Sequence, residues 1–214
     1  MTSPTSGRAR QAARNDVTIL AAAKEVFLAD KRAPVAAVAE RAGVGISALY
    51  RRYAGKEELL RKLCHDGLLT FIEQAERAST ATDDWVAFET FVHGVVEADV
   101  HSLTVHLAGT FTPTEEMSAD AVRADELATA LFERARHQMR AEAVPADLTM
   151  LLEMCAAVRV PDQARTSSLR RRYLAMLLDG LRAGMSLPGP APTWAELSWR
   201  WMPRPDDPDV SSRG

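Results

Sequence analysis

Tyr50, Arg51, Arg52 and Lys56, with Ser47 one turn earlier, form a compact group of side chains that could hold an anion or the edge of a base. Hydroxyls donate and accept, a guanidinium presents a planar fork of donors, and an ammonium adds a compact positive charge. Arg can bridge guanine O6 and N7 with two hydrogen bonds, and all of these groups can contact phosphate. Such groups read a surface only if they project from one rigid element.

The spacing supplies that element. Pro34 to Lys56, PVAAVAERAGVGISALYRRYAGK, reads as a short helix, a turn marked by Gly43 and Gly45, and a second short helix. Pro34 suits the first helical position, where its missing N–H is no loss. Val35, Val38 and Ala39 face inward over Pro34 to Arg41, and Gly43 stands where a left-handed residue ends a helix. Ile46 to Tyr53 then forms a helix with Leu49 and Tyr53 inward. This is a helix-turn-helix pattern, suited to laying its second helix in the DNA major groove. A helix over Asn15–Ala29 precedes it, with Val17, Leu20, Ala21, Lys24 and Phe27 at helical spacing. A longer one from Lys56 to about Arg77 follows and looks like a connector. Residues 1–13 lack apolar periodicity and are expected to be a flexible basic arm.

Charge follows the same division. Residues 1–62 hold twelve Lys or Arg against six Asp or Glu, whereas residues 63–214 hold fourteen against twenty-three, so a net charge of −3 hides a basic head on an acidic body. That suits a protein that touches phosphates with one end.

Beyond the connector the pattern is helical throughout, with no strand-like alternation. Helices are expected from Asp83 or Asp84 to Asp99, over His101–Gly109, from Thr114 to about Glu142, over Ala146–Val158 and from Gln163 to Met185, with a short one around Trp194–Trp201. At 47% hydrophobic the chain can bury a substantial core. Nothing resembles a signal peptide or a membrane span, and Cys64 and Cys155 lie far apart on helical patterns, so a cytoplasmic protein without disulfides is expected. No Gly-rich phosphate loop, zinc helix or nucleophile elbow is present, which argues against an enzyme and against a cofactor. His93, Glu97 and His101 fall at i, i+4 and i+8, one face of a helix if it extends that far and a conceivable metal site, but zinc normally takes more ligands and exposed His/Glu faces are common, so no metal is expected.

Residues 14–63, RNDVTILAAAKEVFLADKRAPVAAVAERAGVGISALYRRYAGKEELLRKL, resemble the DNA-binding domain of TetR-family transcriptional regulators. The likeness rests on Ile19-Leu20, Ala22-Ala23, Phe27, Val38-Ala39, Ala42-Gly43-Val44, Leu49-Tyr50, Tyr53, Lys56 and Leu59-Leu60, in register without a gap. It implies an all-α fold: a three-helix helix-turn-helix domain over 14–62, a larger helical effector-binding and dimerisation domain over 63–202, and a disordered tail over 203–214. By resemblance, Ser47, Tyr50, Arg51 and Arg52 face bases or phosphates, and Lys56 matches the family's phosphate-binding lysine. Many members have Ser or Thr where this chain has Pro34, Gly45 and Ala48, so the arginines, Tyr50, Lys56 and backbone N–H groups should carry more of the binding.

Residues 156–183 resemble the dimerising end of actinobacterial-type members. In the family the last two helices pair with those of a two-fold mate. Here that assigns the interface to Leu148, Leu152 and Cys155 on one helix, and to Leu169, Tyr173, Met176, Leu177, Gly180 and Leu181 on the other. For a small effector, Trp85, Phe88, Phe91, Val92 and Val95, with Leu103, Leu107, Phe111 and Met117, could line an apolar pocket. The implied function is a homodimeric repressor, released from a palindromic operator by a small molecule. The alternative is a ligand-independent regulator whose body dimerises or recruits a protein.

Overall fold

The computed structural model describes residues 4–107, 109–182, 186–193 and 195–196. The tail over 203–214, most of the short helix expected at 194–201, and the end of the helix expected to reach Met185 lie outside them. Among the described residues every regular element is helical: α1 (Pro4–Ala29), α2 (Val35–Ala42), α3 (Ile46–Tyr50), α4 (Lys56–Ser79), α5 (Asp84–Glu97), α6 (Val100–Leu107), α7 (Glu115–Ala135), α8 (Pro145–Ala157) and α9 (Gln163–Arg182).

The first helix begins at Pro4 rather than Asn15, so the stretch anticipated as an arm is helical from that point. Its inward face is Ile19, Ala22, Ala23 and Phe27, whereas Val17 is exposed. The helix expected from Thr114 to Glu142 stops at Ala135 and tightens into a 3-10 turn over Arg136–Gln138. The helix expected to include Asp99 ends at Glu97, with Asp99 in a left-handed conformation (φ 51°) before α6. Asp tolerates that region better than most residues.

Two apolar clusters organise the molecule. In the first, α1, α2 and α3 bury Ile19, Phe27, Val38, Leu49 and Tyr53 with Leu59, Leu60, Leu63 and Cys64 of α4. Leu103 and Leu107 of α6 and Met117 of α7 complete it, so packing crosses the 62/63 boundary. The second lies among α5, α7, α8 and α9 and reaches Ala75 and Ala78 of α4. Its centre is aromatic: Phe88 meets Phe132 edge-to-face at 5.9 Å, and Phe71 meets Phe91 the same way at 5.1 Å. Phe88 is fully buried, so Phe88→Ala should lower stability by about 3–5 kcal/mol, read as a shifted urea midpoint at fixed protein concentration.

Candidate nucleic-acid interface

The α2–α3 turn is set by Gly43, whose φ of 65° lies in the left-handed region. Its N–H bonds Glu40 O and the next N–H, of Val44, bonds Ala39 O, which closes α2. Leu49, fully buried, then fixes which side of α3 faces the core. The outward side carries Ile46, Ser47, Tyr50 and Arg51, all exposed, at the i, i+1, i+4 and i+5 positions of one face. Tyr50 is 51% and Ile46 40% exposed, values that mark these rings and methyls as open to a partner. Arg51 forms no ion pair among the described residues and is free to engage a base or phosphate.

Arg52 and Lys56 are more constrained than the sequence suggests. Arg52 Nε lies 2.7 Å from Asp16 Oδ1, bracing the end of α3 against α1. The Tyr53 hydroxyl is 3.5 Å from the same carboxylate oxygen, and burial, with Asp16 adding to it, pushes Tyr53 up to about 12. Tyr53 therefore stays protonated and works as a packing residue. Lys56 Nζ donates to Ala33 O at 2.8 Å and sits 5.2 Å from the centroid of the Phe27 ring. It locks the α1–α2 turn onto the start of α4, with donors to spare for a phosphate.

Backbone groups supply what hydroxyls do not. Pro34 before α2 and Gly55 before α4 offer no side-chain cap, and in α2 the Ala37 N–H turns back onto Pro34 O at 3.0 Å. In the body, Asp83 caps α5 through Val86 N and Thr114 caps α7 through Met117 N. Free N–H groups and the positive end of a helix dipole attract phosphate, so helix starts without a side-chain cap suit an anion.

The residues expected to line an effector pocket do not come together. Trp85, Phe88, Phe91, Val92 and Val95 pack inside the body cluster, while Leu103, Leu107 and Met117, with Phe111 against them, belong to the head cluster. Local periodicity identified each as buried but could not say in which core. The expected dimer residues also divide. Leu148, Leu152, Cys155 and Leu181 are buried in the chain's own core, Leu169 and Leu177 are half-buried, and Tyr173, Met176 and Gly180 face outward. His93, Glu97 and His101 share no helix face, because α5 stops at Glu97, whose carboxylate pairs with Arg171 at 2.8 Å.

Sequence reasoning missed a buried polar network joining head and body. Arg170 on α9, 3% exposed, pairs with Asp99 and donates to Ser102 Oγ and Ala156 O (both 3.1 Å) and to Val158 O (3.1 Å). Lys24 of α1 reaches the same Asp99, 3.4 Å from its carboxylate and 3.2 Å from its carbonyl oxygen. Burial by itself would raise Asp99, but Ser102, Lys24 and Arg170 outweigh it and hold the carboxyl below its ordinary value. The one visible signal was the inward stripe Leu174, Leu178 and Leu181, which extends back to Arg170. Ile46 was missed too, although its four-residue spacing from Tyr50 was in plain view.

Residues 19–63 match the family model of bacterial regulatory proteins, tetR family. No curated protein matches the chain. Among solved structures it is similar to the TetR family regulator PfmR from Thermus thermophilus (22% identity, 78% of this chain and 96% of that one, TM-score 0.60). It is similar also to the TetR-like regulator LfrR from Mycobacterium smegmatis, solved in complex with proflavine (22%, 82% and 99%, TM-score 0.56). A TetR transcriptional regulator from Streptomyces coelicolor aligns over 80% of this chain and 99% of its own, at 21% identity and TM-score 0.54. On a duplex selected from a random pool, Arg51→Ala should weaken binding by about 1–3 kcal/mol and leave the melting temperature unchanged. Arg52→Ala should instead lower stability, by less than about 1 kcal/mol for so accessible a pair.

Proposed function

Because its residues 19–63 make this chain a member of the tetR family of bacterial DNA-binding regulators, we propose that it is a homodimeric repressor released from its operator by a small effector. The observation that carries the dimer is the outer face of α8 and α9. Met154 (50%), Tyr173 (42%) and Met176 (60%) stand exposed beside a groove of about 320 Å³ that Met150, Leu177 and Leu187 help to line. Large apolar side chains exposed together rather than singly favour an association surface. A two-fold mate would present the same patch, and the open space around Gly180 lets its helix come close. Two heads held this way could meet major grooves about 34–36 Å apart or farther.

Support for an effector comes from the LfrR–proflavine complex, a small molecule held by a protein of this fold. An effector acts only by preferring the state that binds DNA poorly, with a coupling of ~1–3 kcal/mol. The route offered here is α4 together with the Lys24–Asp99–Arg170 network, since both join the head to the body helices. The second reading, a regulator without a ligand, is favoured by the close aromatic packing of Trp85, Phe88, Phe132, Phe71 and Phe91. Release of bound DNA by proflavine or by members of an apolar ligand library separates the two; retention across the whole library supports the second.

Met176→Glu should turn the dimer into a monomer in sedimentation velocity and weaken operator binding with it. Asp99→Asn should destabilise the chain at neutral pH. A carboxyl whose pKa is lower folded than unfolded contributes stability above its unfolded value of about 3.9 and loses it as pH falls through the lower folded value. The gap between Asp99→Asn and the parent chain should therefore close in acid, measured by denaturation midpoints between about pH 7 and pH 2.

A further inference from the structure

We infer that His65, Glu116 and Asp120 bind a divalent transition-metal ion across the contact between α4 and α7. His65 Nε2 lies 2.7 Å from Asp120 Oδ2, and Glu116 stands one turn before Asp120 on the same face of α7. One ligand atom from each residue lies within 4.8 Å of the other two. Around a tetrahedral ion with bonds of about 2.0–2.2 Å, ligand atoms stand roughly 3.4 Å apart, so small side-chain rotations close the set.

Charge adds to the geometry. On α4, Glu57, Asp66 and Glu76 each pair with a basic side chain: Arg61, Lys62 and Arg123. Among the described residues neither Glu116 nor Asp120 has a Lys or Arg partner, and His65 is the group they face. Two carboxylates one turn apart on a helix repel each other, and a divalent ion between them removes that repulsion. One imidazole nitrogen and two carboxylate oxygens suit borderline ions such as Zn²⁺ and Co²⁺, with water completing the shell. His65 lies nine residues beyond Lys56 on α4, about 14 Å along its axis, so the ion would pin the connector to the body.

The test uses the full untagged chain, stripped of metal and titrated with Co²⁺, followed by visible absorption and by Zn²⁺ competition. One equivalent per chain is expected, with affinity falling by about 100-fold or more in His65→Ala, beyond the loss an outer-shell group causes. Glu116 is exposed, so Glu116→Gln keeps the fold, checked by circular dichroism, and should weaken Co²⁺ by about 10-fold or more. Absence of saturable Co²⁺ and Zn²⁺ binding, or unchanged affinity in Glu116→Gln, overturns the site. Neither result touches the repressor reading, because no DNA is involved.

Discussion

One continuous helix belongs to both cores. Leu59, Leu60, Leu63 and Cys64 at the start of α4 pack into the head, while Ala75 and Ala78 near its end pack into the body. Leu68 and Ile72 between them meet Ala124 of α7 in a small bridging cluster. Over 24 residues such a helix is a rod of about 36 Å, and tight packing at both ends gives it no slack. The head's core is also finished by Leu103, Leu107 and Met117 from the body, so the head cannot rotate without disturbing α6 and α7.

The same economy shapes the DNA-facing surface. Part of its positive charge is committed to holding the head together, Arg52 through Asp16 and Lys56 through Ala33 and Phe27. What remains outward is a compact set: Ile46, Ser47, Tyr50, Arg51 and the uncapped starts of α2 and α4. Asp83 and Thr114 cap α5 and α7 in the body, whereas α2 and α4 start without a side-chain cap.

Arg170 occupies the opposite extreme, a charge removed from water and satisfied by a carboxylate, a hydroxyl and two backbone carbonyls. Removing one partner from such a set leaves a charge stranded, which makes the arrangement all-or-none rather than gradual. Its partner Asp99 sits at the α5–α6 break and is shared with Lys24 of the head, so three regions agree on one geometry.

The sequence alone determined the helical class, the head's helix-turn-helix, the inward Leu49 and the outward Tyr50 and Arg51, because each follows from local periodicity and from Gly43 at a turn that needs a left-handed residue. It also picked out the apolar residues of the body as buried. It could not say that Leu103 and Leu107 serve the head while Phe88 serves the body, nor that Leu148 and Leu152 face inward while Met176 faces out. Only the tertiary structure decided those, and with them the Lys24–Asp99–Arg170 network and the meeting of His65 with Glu116 and Asp120. The physical reason is range: a helical repeat fixes which side of an element is apolar, but the element it packs against is chosen by contacts distant in sequence, such as Arg170 with Asp99 and His65 with Asp120, which leave no periodic trace.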